Sequence, residues 1–269
     1  MHRDRRWTRL PASLSLLLAG AAMAVCGGSP ATPIPDVPTR ADASHEPPGL
    51  TTLNEQPWSG LTANGWRYIR RTSSKDADIG MDGTAPLSPP YVLRIAFTPS
   101  MRPDTEPGVH WIALPRPREV YTSWFIKLSP NWTASPAGAA KMTFLHTWPD
   151  GQGQVYTGLR GSGAPHWVIV NTEWAPYGQR IWAPNVTTSQ ISYSRWYEIA
   201  WYVRWESTPG AEDGILRWWV DGVLNGDYAN VTFPAGGIGF QQFEFAPTLQ
   251  NPPRAEQYMY IDHTHVSKK

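Results

Sequence analysis

The 269-residue chain has one cysteine, no block of like charge and no helical periodicity after its first 26 residues. Each absence excludes something. A lone Cys26 cannot close a disulfide within the chain, and the Cys pairs that hold structural zinc are missing. Lys and Arg number 23 against 22 Asp and Glu, a formal charge of +1. That balance leaves no global field to draw nucleic acid to the surface. The one sustained apolar run, Ala12 to Val25, falls short of the ~20 residues that cross a bilayer comfortably. Without a 3.6-residue repeat, helical bundles drop out. What is abundant points elsewhere: 15 Trp, 11 Tyr, 27 Pro and 23 Gly suit a turn-rich, aromatic-rich all-β domain.

The N-terminus reads as a targeting segment. Arg3, Arg5, Arg6 and Arg9 precede the apolar run, and Cys26 follows it directly. Cys26 stands where a bacterial lipoprotein is cleaved and acylated. Residues 1–26 therefore lead either to a lipid anchor in a membrane or to plain secretion, in both cases out of the cytoplasm. Removing them leaves 19 basic against 21 acidic residues, a charge of −2. Residues 27–49 are rich in Pro, Ser, Thr and Ala and cannot bury enough surface to offset chain entropy, which makes them a tether. Residues 50–269 form one domain, with no internal repeat and no second boundary, and a monomer is expected.

Within that domain the alternation is of strands. Tyr197 to Glu206 puts Ile199, Trp201, Val203 and Trp205 on one face and Ala200, Tyr202, Arg204 and Glu206 on the other. A turn-rich link leads to Ile215–Val220, closed by Asp221-Gly222, a strong tight-turn dipeptide. Further strands are predicted over 65–70, 91–97, 109–114, 119–128, 141–147, 154–160, 166–171, 223–228, 240–245 and 257–266. About a dozen strands with regular turn signals make a sandwich. Long loops at 72–90, 98–108, 129–140 and 172–194 are where binding on such a scaffold concentrates.

The hairpin WYEIAWYVRWESTPGAEDGILRWWVDG resembles the back-sheet hairpin of the concanavalin A-like lectin/glucanase superfamily. Tyr121 to Trp132, Lys141 to His146 and Tyr258 to Ser267 resemble its polysaccharide-lyase-like secreted members. The likeness covers roughly residues 55–267. It implies an all-β, two-sheet antiparallel jelly-roll sandwich with a polysaccharide or oligosaccharide partner. The reaction implied is β-elimination at a uronic acid; the alternative is a non-catalytic, lectin-like glycan-binding module. A retaining glycoside hydrolase ranks lower. It would need two carboxylates about 5–5.5 Å apart on one face, and the chain has no Glu-x-Asp-x-x-Glu strand to supply them; Glu244 has no second Glu at the right spacing.

Four residues are candidates for the chemistry. His146, in a strand with Phe144, can take the proton at C5 of a uronate. The resemblance places Arg94, in YVLRIAF, on the substrate side as a carboxylate neutraliser. Tyr156 and Arg160 share a strand face on either side of Gly158, which leaves room for a ligand. A Tyr–Arg pair suits proton donation to a leaving oxygen with charge stabilisation. Lys127, His166, Asn171 and Trp148 are candidates for holding sugar: a mid-strand cation must face water or a groove, His166 and Asn171 extend the polar run, and Trp148 is in phase with His146. No cofactor is called for. The resemblance implies a structural calcium at Asp262, on the last strand. His263 and His265 flank it as His-x-His, a pattern that can bind a transition metal and is more often structural.

Overall fold

Fifteen strands form among the residues that the computed structural model describes, namely 45–70, 76–134, 139–147, 153–174, 178–208, 210–233 and 239–269. In chain order they are β1 Thr51–Gln56, β2 Arg67–Arg70, β3 Ala77–Met81, β4 Tyr91–Phe97 and β5 Gly108–Ala113. Then come β6 Glu119–Leu128, β7 Ala139–His146, β8 Gly153–Arg160, β9 Trp167–Trp174 and β10 Gly178–Trp182. The chain ends with β11 Trp196–Arg204, β12 Gly214–Val220, β13 Val223–Val231, β14 Gln242–Leu249 and β15 Gln257–Lys268. Residues 1–26, most of the tether and Trp148 lie outside the described residues.

Twelve strands coincide with those predicted. The other three, β1, β3 and β10, have no apolar alternation to announce them. β3 and β10 are terminal strands of their sheets, and β10 leaves its first four residues exposed. An edge strand need not bury a full face, so its sequence carries little pattern.

The strands make two antiparallel sheets. One has the order β13-β12-β11-β6-β15-β4-β3, with β1 also pairing β15; the other has the order β10-β9-β8-β7-β14-β5-β2. β4 covers β15 from Gln257 to Ile261, and β1 covers it from Thr264 to Lys268. Between those spans the ladder to β6 shifts register, at Asp262 to Thr264, a bulge that re-aims its side chains.

The inward phases of the two sheets supply one core. Trp124 and Ile126 of β6, Trp201 and Val203 of β11, and Trp218 and Val220 of β12 are all buried in it. Leu145, Val155, Val168, Phe243 and Phe245 answer from the other sheet. Trp201 faces Trp218 across the β11–β12 ladder. On the far side of Trp218 sits Gly226, where an added Cβ would fall 2.1 Å from the indole. Glycine is required there because the ring lies across the neighbouring backbone. The Asp221-Gly222 turn joining β12 to β13 has φ of 47° and 73°, the two positive values that a two-residue hairpin demands. The carboxylate of Asp221 also accepts the Glu198 N–H at 2.8 Å, tying the turn to β11.

Candidate functional site

Antiparallel register aligns side chains across a sheet as rungs. In the seven-stranded sheet one rung runs edge to edge: Arg67, Trp111, Glu244, Phe144, Tyr156, Asn171, Ile181. Six strand spacings make it roughly 29 Å long. Beside it runs a second rung, Gln242, His146, Gln154, Glu173, Gln179. On the other side Thr248, Lys141, Gly158 and Ile169 align. The core-side neighbours Leu145, Val155 and Val170 alternate with these residues, so the three rungs form the outward floor of the sheet.

Two cavities open on this floor. One of about 300 Å³ is lined by Lys141, Tyr156, Gly158, Arg160, Asn171 and Gln179. The other, of about 410 Å³, is lined by Trp111, Phe144, His146, Gln154 and Glu244. Asp104, Lys141 and Thr248 line both, which makes them one groove.

Tyr156 sits at the centre of the first cavity. Its hydroxyl accepts a hydrogen bond from the Gln179 amide, and the same amide reaches Asn171 at 3.4 Å. Lys141 Nζ lies 4.9 Å from the centre of the phenol ring. Burial, then the charge of Glu173, push the phenol up to about 12, while the Gln179 hydrogen bond and the Arg160 charge pull the other way. At neutral pH it is a proton donor. Gly158 leaves the floor open beside it; a Cβ there would stand 3.1 Å from the carbonyl oxygen of Ala140.

His146 anchors the second cavity. Its Nε2 donates to Glu244 at 2.6 Å, and its ring stacks on Phe144 with centroids 5.3 Å apart. Phe144 in turn lies 5.1 Å from Tyr156. His146 and Tyr156 are diagonal neighbours across β7 and β8, about 7–8 Å apart along the diagonal and somewhat less at Cβ.

The charges divide unevenly. Glu173 accepts from Gln154 at 2.9 Å, and Glu244 accepts from both His146 and Gln242. The carboxylates of the second rung and its neighbour are thus engaged. Lys141, Arg160 and Arg67 have no carboxylate partner among the described residues.

Of the residues singled out in the sequence, His146, Tyr156, Arg160 and Asn171 come together in this groove. Arg94 and Lys127 do not. Both stand on the outward face of the other sheet, Arg94 paired with Asp78 (Nε to Oδ1 2.8 Å) and Lys127 with Asp82. His166 is also elsewhere. It is fully buried, bridges Ile191 through its backbone and contacts the Gly161 carbonyl through Nδ1 at 3.0 Å. Burial lowers its pKa, and it serves to fasten the 161–165 turn. Four contributors stand out only in the structure. Lys141 reads as out of phase with Phe144 and His146, but a register shift between Lys141 and Phe144 brings it to the same face. Gln179 lies on β10, which carries no strand pattern. Trp111 and Arg67 meet only through the β2–β5 register.

Asp262 is buried in the other sheet. Its Oδ2 accepts the backbone N–H of Leu87 at 2.7 Å and of Ser88 at 3.3 Å; its Oδ1 has no hydrogen-bond partner. Calcium needs six to eight oxygens, whereas this carboxylate already faces two N–H donors. Among the described residues no group of three or more His, Cys, Asp or Glu could hold a metal. Through Oδ2, Asp262 acts as a clasp for the loop between β3 and β4.

No protein-family model and no curated protein matches the sequence. Solved structures do. The chain is similar to an alginate lyase in complex with an alginate trisaccharide, at 13% identity and a TM-score of 0.57, over 82% of this chain and 94% of that one. It is similar to an endo-β-1,4-glucuronan lyase from the fungus Trichoderma reesei, at 14% identity and 0.57, over 81% and 96%. An alginate lyase from Chlorella virus aligns at 11% identity and 0.56, over 81% and 99%. At such identities the likeness shows the fold, a concanavalin A-like jelly roll.

Proposed function

We propose that this chain is an exported polysaccharide lyase that holds an acidic polysaccharide in the groove of the seven-stranded sheet and cleaves it by β-elimination at a uronic acid. One observation carries the reading. Lys141 and Arg160 line the cavity around a protonated Tyr156, and neither has a counterion among the described residues. A cation left without a partner beside a cleft is available to a ligand's carboxylate.

The chemistry follows from the placement. Lys141 and Arg160 counter the uronate carboxylate, which makes the adjacent C5 proton acidic. The hydrogen-bonded His146–Glu244 pair takes that proton, with the Glu244 carboxylate lining the groove and the imidazole behind it. The C5–H electron pair becomes the C4–C5 double bond. The C4–O bond breaks with its pair on oxygen, and that oxygen takes the phenolic proton of Tyr156. Solvent then carries the proton from that pair back to the phenolate. A base and an acid about 7–8 Å apart along the diagonal can flank one sugar ring, with Phe144 as the floor between them. The neighbours' substrates, alginate and glucuronan, support a uronate polymer as the substrate class. Export rests on the basic and apolar N-terminal segment, with a lipid on Cys26 as its anchored form. The groove is complete within one chain, so a monomer is the proposed working unit.

The test is a screen of the purified protein on uronate polymers, read by the absorbance of unsaturated products. Product is expected from at least one polymer. Tyr156→Phe and His146→Ala should each lower turnover at least a hundredfold, within the usual range for an acid or base group, while the polymer is still retained on an affinity gel. A second reading, a non-catalytic glycan-binding module, is favoured by the hydrogen bonds that Tyr156 and His146 already make within the protein. Retention without product from any uronate polymer would establish it.

A further inference from the structure

The long rung does not end at the proposed reaction centre. From Tyr156 it passes Phe144 and Glu244 to Trp111 and Arg67, three strand spacings and roughly 14 Å to Trp111. Trp111 lines the second cavity and is only partly buried. The Arg67 guanidinium lies 4.7 Å from the centre of its ring, and Arg67 has no carboxylate partner among the described residues. A flat indole with a guanidinium over its ring, and no carboxylate on that guanidinium among the described residues, matches a uronate unit: its carboxylate meets the fork of donors, and the sugar ring packs against the indole surface that remains exposed. The outward cations of the other sheet differ, since Arg94 and Lys127 each have an aspartate.

Resting on the lyase reading for its choice of sugar, we propose that Trp111 and Arg67 form a distal subsite for a uronate unit several rings from the bond that is cleaved. The chain then lies across the strands along the rung, with its far end held at β5 and β2. The enzyme favours long chains over short ones because only a long chain reaches both Tyr156 and Trp111.

Uronate oligosaccharides of graded length test this, both as substrates and as ligands in titration calorimetry. In the natural protein kcat/KM and affinity should rise sharply from the trisaccharide to the hexasaccharide. Trp111→Ala should cut the hexasaccharide-to-trisaccharide ratio about tenfold, the scale of one stacked aromatic–cation contact. Arg67→Gln should do so severalfold without opening a gap in the sheet, and Trp111→Tyr should restore most of the ratio. A ratio that stays at the natural value in folded Arg67→Gln, and falls in Trp111→Ala only together with its thermal stability, would overturn the subsite. If neither the oligosaccharides nor any uronate polymer yields product, the lyase reading fails. The subsite is then judged by affinity alone: a length dependence lost in the variants sustains it, and a flat one removes it.

Discussion

The two sheets present outward faces built to the same plan and put to different use. On the eight-stranded sheet, Trp196, Lys127, Tyr260, Arg94 and Asp78 align rung by rung across five strands. On the seven-stranded sheet the rung runs from Arg67 to Ile181. Both mix aromatics with cations. On the eight-stranded face Lys127 packs 4.9 Å from the Trp196 ring and pairs with Asp82, and Arg94 pairs with Asp78, while Arg204 meets only the Asp213 carbonyl among the described residues, at 2.9 Å. On the groove face Lys141, Arg160 and Arg67 have no carboxylate partner among the described residues. A charge in the middle of a strand therefore does not mark a ligand site.

Acid should separate the two sheets most strongly. His110, on β5 of the groove sheet, is fully buried with neither ring nitrogen hydrogen-bonded. Its ring stacks on Tyr68 at 4.5 Å and meets the Trp58 ring edge-on at 5.7 Å. Burial drops its pKa to about 3. The unfolded chain thus binds a proton that the folded chain refuses, and stability falls as pH drops from about 6.5 towards 3, by up to ~1.4 kcal/mol per unit. The β1–β15 edge of the other sheet behaves oppositely. Burial would raise the Glu55 carboxyl, but hydrogen bonds from His263 and His265 outweigh it and hold the group at about 2. That contribution is full above the ordinary carboxylate range and is lost progressively as pH falls from there to about 2. Burial would lower His265, but Glu55 and Glu46 outweigh it and raise its pKa. Its contribution is full below the ordinary histidine range and is lost as pH rises through the raised value. Amide exchange corrected for pH should show β5 losing protection between pH 7 and 5 while β15 keeps it. His110→Phe should remove most of the acid sensitivity. Parallel loss of protection in both strands would break the contrast.

Lys127 and Lys141 sharpen it by substitution. The Lys127–Asp82 pair is largely buried, with side-chain exposures of 16% and 13%. Lys127→Ala strands Asp82, at a cost of about 2 kcal/mol after discounting for the remaining exposure, or roughly 4–8 °C in Tm. Lys141→Ala removes a cation that no carboxylate pairs with among the described residues. Its Tm should stay within about 2 °C, a surface-like effect, while turnover on a uronate polymer falls at least tenfold. Calorimetry and the unsaturated-product assay on both variants check the pair. Equal losses of Tm would show that Lys141 is structural.

Much of this was legible from residues alone. Period-two alternation located most strands because a half-buried strand must alternate, and Asp221-Gly222 marked its turn because few residues accept two positive φ values. His146, Tyr156, Arg160 and Asn171 lie together because β7, β8 and β9 follow one another in both sequence and sheet. Assignment of strands to sheets was not legible. β4, β5 and β6 are consecutive in the chain, yet β5 joins one sheet while β4 and β6 join the other. Nothing local distinguishes Arg94 on β4 from Arg67 on β2, since the difference is made by partners distant in sequence. Lys141 was hidden by a register shift, which alternation cannot show.

Arg94 against Arg160 is the finest test, because both are strand arginines that sequence alone puts in one site. The Arg94–Asp78 pair is more than a third exposed on each side, 39% and 36%. Burial disfavours the charged guanidinium less than the Asp78 hydrogen bond favours it, and an exposed pair of this kind contributes about 0–1 kcal/mol. Arg94→Gln should therefore shift Tm by no more than about 2–4 °C and leave turnover within twofold, since its guanidinium faces away from the groove. Arg160→Gln should shift Tm as little and cost turnover about tenfold or more, because in the proposed reaction that cation meets the substrate carboxylate. The reading that unpaired cations mark the site depends on that asymmetry. Should Arg94→Gln lower turnover as far as Arg160→Gln at equal stability, a missing counterion would no longer distinguish the two faces, and the eight-stranded face would have to be reconsidered as the place where sugar binds.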